Sequence, residues 1–441
     1  MKLFVLIVFL GAFNALFSQF DIPQWSNNAS IYEVNIRQFT PEGTFKAFQS
    51  HLPRIKDMGI DVVWLMPIHP IGVKNRKGSL GSYYAVKDYQ DVNPEFGSKQ
   101  DFADLVLAIH NLGMKVIIDW VANHSSPDNV WVEQENNKSW YTLDSLGNLQ
   151  PTIGTDWWDV ADLNYDNYEM RLRMIESMKY WVEEYNIDGF RCDVASWVPI
   201  DFWKDARKVI ESVKPIFFLA EAEGDEMYEA FDMTYGWEFH HIMNKLVTGE
   251  KKVKDVYTFF EKRTPKIIHN QMQFTSNHDE NSWNGTVQER LGEARFGMAV
   301  LASTIDGMPL VYNGQESSLD KRLAFFEKDS IDWSKMDLVS FYSKLLHLKK
   351  DNPALNHSGE SKGSLHFVKV PSNPNLLIYK RAYKKNQVLV VINTSDKDIN
   401  AEFADPLMRG NYTDLFSNKK IRLKKKNTLD IEAWGYRVYH K

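Results

Sequence analysis

Gly189-Phe190-Arg191-Cys192-Asp193 follows a run in which Ile175, Met178, Val182 and Tyr185 recur three and four residues apart. A helical period giving way to a short apolar strand that ends on a carboxylate is half of a strand–helix repeat. The same unit recurs on both sides. Upstream, Ile31 to Val34 precedes a helical pattern of Phe45, Phe48, Leu52, Ile55 and Met58 closed by Gly59. Val62 to Leu65 then precedes Phe102, Leu105, Ile109 and Leu112 closed by Gly113, and Val116 to Asp119 follows. Downstream, strands are predicted at Phe217 to Leu219, Asp232 to Thr234, Gln273 to Thr275 and Pro309 to Tyr312, before a last helix through Leu338, Phe341, Leu345 and Leu348. Strands that are apolar on both faces belong to a parallel sheet covered by helices. About eight such units predict an α/β fold, a (β/α)8 TIM barrel. The competing doubly wound sheet would carry a phosphate-binding glycine fingerprint after its first strand, and none is there.

Two stretches interrupt the repeat at strand C-terminal ends, where barrels keep their active sites. Residues 69–98 are rich in Gly, Tyr and Pro, and 124–164 in Trp, Asn and Asp. After Asn352-Pro353 the pattern turns to strands, with Leu376 to Tyr379, Val388 to Ile392 and a strand-like end from Leu429 to Tyr436. The expected organisation is a signal peptide over 1–18, a catalytic barrel over 19–123 and 165–353, an inserted domain over 124–164 and a C-terminal antiparallel β-sandwich over 354–441. The signal reading rests on Lys2, the apolar run Leu3 to Phe13 and small residues up to Ser18. It implies export to the periplasm or the medium. No later apolar run is long enough to span a bilayer, so no membrane span is expected in the mature chain.

The charge of −6 excludes a nucleic-acid partner that needs a basic face. A single cysteine, Cys192, excludes an intrachain disulfide and a thiolate cluster, and its apolar setting predicts a buried, inert thiol. Aromatic residues make up 13% of the chain, with 14 Trp and 19 Tyr, which suits platforms for sugar rings as well as a large core.

Chemistry concentrates at strand ends. Asp119, Asp193, Glu221 and Asp279 are read at the ends of the third, fourth, fifth and seventh strands. The gaps of 28 and 58 residues between the last three are about one and two strand–helix units, so a barrel brings them to one rim. Converging carboxylates suit glycoside cleavage, with one ionised nucleophile and one protonated acid. Arg191 shares a strand face with Asp193 and should lie beside it, with a salt bridge to Asp119 as a compatible role. His124 and His278, beside acids at strand ends, are read as donors to sugar hydroxyls. No histidine metal spacing occurs.

Six segments resemble signature regions of the α-amylase family, glycoside hydrolase family 13. They are Asp119 to His124, Gly189 to Asp193, Phe218 to Glu221, Phe274 to Asp279, Ala161 to Asn164 and Gly307 to Glu316; Tyr84 to Tyr89 resembles a seventh. The likeness covers about residues 30–440. It implies Asp193 as nucleophile, Glu221 as acid/base, Asp279 as the third carboxylate, and Tyr84, His124, Arg191 and His278 around the same sugar. The substrate implied is an α-1,4-glucan such as starch, glycogen or maltodextrin, cut by an endo-type hydrolase. The alternatives are an exo-acting α-glucosidase or a transglycosylase of the same family; a sugar isomerase or sucrose-cleaving enzyme is a further one. A non-catalytic glycan binder is disfavoured by the three acids. No cofactor is expected. Calcium, bound by many relatives, is put in doubt by Trp197 and Asn164, which stand where those amylases often have His and Asp. Trp157, Trp158, Trp197 and Trp283 are candidate sugar platforms.

Overall fold

The computed structural model describes residues 20–133, 137–262 and 270–441. The predicted signal peptide lies outside the described residues. Eight parallel strands close into a barrel: β1 Ile31–Val34, β2 Val62–Leu65, β3 Lys115–Trp120, β4 Gly189–Cys192, β5 Phe217–Ala220, β6 Met233–Tyr235, β7 Gln271–Gln273 and β8 Met308–Tyr312. Each pairs with its neighbours in sequence, and β8 returns to β1 through Ile31 opposite Leu310.

Period-two alternation divides each strand between two cores. Ile31, Val62, Trp64, Ile117, Phe217, Leu219, Met272 and Met308 fill the barrel interior. Tyr32, Val63, Val116, Ile118, Phe190 and Phe218 face the helices. Gly189 is required inside, because a Cβ there would stand 2.3 Å from the Phe217 carbonyl oxygen. The inward register ends on polar groups: Glu33 pairs with Trp64 across β1–β2, and Asp119 with Arg191 across β3–β4. These layers put charge at the C-terminal rim, above an apolar plug.

Local chemistry shifts two elements from their sequence reading. The helix drawn through Phe45 and Met58 is two helices, Phe45–Gln49 and Leu52–Asp57, with a proline at the start of the second. The seventh strand is Gln271–Gln273, two residues earlier than predicted, so Asp279 does not end it. Asp279 instead precedes a π-helical turn, Glu280–Asn284, after the five-residue extension 274–278.

The insertion after β3 is framed by two-residue strands, His124–Ser125 and Ala161–Asp162. The C-terminal region forms a six-stranded antiparallel sheet and a separate pair, Ile399–Ala404 with Lys426–Ile431. The strand-like end is split: Trp434 takes φ +55 in a turn between Lys426–Ile431 and Tyr436–His440. Alternation again serves two surfaces. Leu377, Tyr379, Val388, Val390 and Ile392 pack toward the barrel, and Ile378, Leu389 and Val391 toward Ala401, Phe403 and Ile431. A buried ion pair, Arg381 to Asp306 at 3.0 Å, crosses between the two regions. Among the described residues no helix is long and apolar enough to cross a membrane.

Candidate active site

Arg191 is the centre of the rim. Fully buried on β4, it reaches Asp119 Oδ1 at 2.8 Å and Asp193 Oδ1 at 2.9 Å through Nη1, and Glu221 Oε2 at 2.8 Å through Nη2. Its Nε donates to the Tyr235 hydroxyl at 3.0 Å. The expected neighbour of Asp193 is therefore shared by three carboxylates from β3, the end of β4 and the end of β5. Nη1 donates to both aspartates, while the contact of Nη2 with Glu221 is an ion pair without hydrogen-bond alignment.

One cation does not neutralise three buried acids. Burial raises Asp193 to about 6, against the pull of Arg191. Burial raises Asp119 to about 6 in the same way. Glu221 rises furthest, to about 8, because burial is reinforced by the charges of Asp193 and Asp279. Near neutral pH this environment ionises Asp193 and leaves Glu221 largely protonated. Glu221 Oε2 also accepts from the Val194 amide at 2.8 Å. To aim that amide, Val194 adopts φ +36 and ψ +46, a left-handed conformation that costs a β-branched residue about 1–3 kcal/mol.

The second half of the rim is built on His278. Its Nδ1 meets Glu33 Oε1 at 2.5 Å, and its Nε2 meets the Tyr84 hydroxyl at 2.8 Å and Asp279 Oδ2 at 3.3 Å. Burial by itself would lower the ring; Asp279 and Glu33 overcome it and raise His278 to about 9. Tyr84 stacks on His278 at 5.5 Å and donates to Asp119 Oδ2 at 3.1 Å. His124 is the opposite case. Burial lowers it to about 4, and it packs edge-on against Trp157 at 5.4 Å. The two histidines thus offer a neutral and a charged donor.

A cavity of about 500 Å³ opens above these groups. Tyr84, His124, Asp193, Glu221, His278 and Asp279 line it, with Arg191 beneath. Trp157, Trp158 and Trp283 also line it; Trp197 stacks on Trp157 at 5.5 Å instead. Cys192 is buried, and burial raises its thiol. Sequence reading missed Glu33, Val194, Tyr235 and the pair Phe325 and Phe326. Only Glu33 left a signal there, as an acid inside an otherwise apolar strand.

The acids around the insertion already have protein partners. Asp162 accepts from the hydroxyls of Thr142 and Thr152 at 3.1 and 3.0 Å, and Asp159 pairs with Lys77 at 3.3 Å. The Asn123 amide donates to Thr152 Oγ1 at 3.0 Å. The Trp197 side chain offers no oxygen. Among the described residues no three His, Cys, Asp or Glu gather as a metal site.

Residues 18–352 match the sequence model for the α-amylase catalytic domain, and 365–438 that for the maltogenic amylase C-terminal domain. The chain belongs to the α-amylase family. Among its relatives, α-amylase MalA of Haloarcula japonica is 26% identical over 87% of this chain, which spans only 58% of that protein. α-Amylase 2 of Dictyoglomus thermophilum is 26% identical, over 90% of this chain and 74% of its own length. The crystal structure of a noncanonic maltogenic α-amylase, AmyB, from Thermotoga neapolitana superposes with a TM-score of 0.84 at 30% identity, covering 94% of this chain and 99% of that one. An α-amylase from Lactobacillus plantarum gives 0.83 at 30%, covering 95% and 99%.

Proposed function

We propose that this protein hydrolyses α-1,4-glucosidic bonds of starch-like glucans by double displacement with retention. The observation that carries the reading is one guanidinium holding both Asp193 and Glu221, with Glu221 raised to about 8. Pairing with one guanidinium keeps the two carboxyls close, as a retaining pair must be. The Asp193 carboxylate attacks the anomeric carbon while Glu221 gives its proton to the glycosidic oxygen. The bond to the leaving sugar breaks and a glycosyl ester forms. Glu221, now ionised, takes a proton from water; the hydroxide attacks the same carbon, the ester bond breaks, and Asp193 returns as carboxylate. Asp279 and His278 hold ring hydroxyls, His124 donates to another, and Tyr84 backs the ring. This α-amylase-type chemistry needs no cofactor, and the donor set around Asn123, Asp159 and Asp162 supports a calcium-independent enzyme. Residues 1–18 act as an export signal, which places the mature enzyme in the periplasm or outside the cell.

The test is proton NMR of the first products from maltooligosaccharides. Retention requires the α-anomer to appear before mutarotation. Initial release of the β-anomer refutes double displacement at this pair.

A further inference from the structure

The cleft has two ends, and the acid tells them apart. Glu221 accepts from the Val194 amide and shares the cavity lining with Trp157, which stacks on Trp197. The oxygen it protonates, and the leaving part of the glucan, lie on that side. Asp279 follows β7, two strands round the barrel from β5, and leads into the turn that carries Trp283. The sugar retained on Asp193, and whatever is attached to its non-reducing end, extend from there toward Trp283, Phe325 and Phe326. Trp283 lies one π-turn beyond Asp279 and packs on those rings at 5.2 and 5.8 Å.

Beside these rings, residues 74–80 of the loop after β2 bridge the insertion and the loop after β8. On the side of the insertion, Asn75 Nδ2 donates to the Trp158 carbonyl at 3.2 Å. Lys77 Nζ donates to the Asp156 carbonyl at 3.1 Å, pairs with Asp159 at 3.3 Å and lies 4.2 Å over the Trp158 ring. On the side of the loop after β8, the Leu80 amide donates to the Phe326 carbonyl at 3.1 Å. The Ser79 amide donates to Glu327 Oε1 at 2.9 Å, and its hydroxyl to the other oxygen of the same carboxylate. Gly78 between them takes φ +63, and a Cβ there would stand 2.5 Å from Phe326 Cβ, so the segment lies directly against the ring-bearing loop. Arg76 ties the turn to its own base through Gly72 and Ile71 carbonyls at 2.8 and 3.2 Å. Contacts at both ends make this a fixed strap rather than a free loop.

We propose that residues 74–80 close the glycone end of the cleft, so that the enzyme takes α-glucans by their non-reducing ends and releases short fragments, with Lys77 meeting the terminal sugar. The inference rests on the hydrolase reading above and departs from the endo-type action expected from the sequence. An endo-acting cleft must let chain pass out of both ends; a strap tied to Asp156 and Trp158 on one side and to Phe326 and Glu327 on the other would close one of them. Lys77 lines the cavity, and its ammonium has three donors to divide between Asp156, Asp159 and a sugar hydroxyl.

Two maltoheptaosides carrying the same label at the reducing end, one with its non-reducing terminus blocked at O4 and O6, separate the outcomes. With wild-type enzyme the blocked substrate should be cut at least about tenfold more slowly, as expected when a terminal group meets a wall instead of its subsite. The open substrate should lose short unlabelled fragments from the start. Glu327→Ala, which removes a solvent-facing anchor, and separately Lys77→Ala, should each raise the relative rate on the blocked substrate by about fivefold or more. Equal wild-type rates on the two substrates, or a ratio unchanged in both variants, overturn the role of the strap while leaving the hydrolase reading intact. Folded enzyme that cuts neither substrate overturns that reading, and this inference with it.

Discussion

Glu33→Gln replaces a buried carboxylate by an amide of the same shape and removes the charge that faces His278. In the native site Glu33 is fully buried and His278 nearly so, with Oε1 and Nδ1 2.5 Å apart. Burial pulls the imidazole down, and the carboxylates of Asp279 and Glu33 carry it up to about 9. Relative to an ordinary imidazole near 6.5, that position is a preference for the charged ring of about 3 kcal/mol. Burial also raises Glu33 itself, which offsets part of the gain, so the net contribution of the pair to folding is put at about 1–2 kcal/mol. With Gln at 33 only Asp279, 3.3 Å away and partly open to solvent, still favours the cation. The ring should then titrate below about 7. Because the native pKa is raised, the stabilisation is complete below about pH 6.5 and fades as pH climbs through 9. The melting temperature of the variant should therefore fall further behind wild type at pH 5.5 than at pH 8. kcat/KM on a maltooligosaccharide should drop by about 10–100-fold at pH 7.5, where the variant ring has lost its proton, and recover to within about fivefold near pH 6. The assay is a pH series of kcat/KM beside nitrogen-15 NMR titration of the histidines, with His278 assigned by His278→Gln. A variant ring that still titrates above pH 8, or an equal loss at pH 6 and pH 8, refutes the reasoning.

Wild-type kcat/KM should be bell-shaped, rising through about 6 as Asp193 ionises and falling through about 8 as Glu221 loses its proton; because the acids interact, these limbs belong to the site as a whole, and a flat profile from pH 5 to 9 would contradict the assignment. Glu221→Gln should be nearly inactive on glucans yet retain more activity on substrates with very acidic leaving groups, with azide restoring turnover; equal losses on both, without rescue, would make Glu221 structural. Exhaustive chelation should leave activity and melting temperature nearly unchanged, since Asp159 and Asp162 already have partners; a drop of more than about 5 °C that calcium reverses would show a structural ion.

The sequence by itself determined the barrel and the acids on its rim. Apolar strands every strand–helix unit admit few packings, and a period of two places Arg191 and Asp193 on one face whatever the loops do. Lengths of loops and exact strand ends were less legible: Asp279 reached the rim through an extension, just before a π-turn, rather than as the last residue of a strand, because hydrogen bonding to neighbouring strands sets where β7 stops. What tertiary structure alone decided were the couplings between distant segments. Glu33 and His278 are 245 residues apart, and nothing in either segment names the other; only closure of β1 against the end of the barrel brings the carboxylate to the ring. Val194 takes its strained backbone because Glu221, from the next strand, offers an acceptor at that point. The strap is the extreme case. Ser79 and Glu327 are polar surface residues by composition, and they mark an end of the cleft only because two loops from opposite halves of the chain meet across the rim.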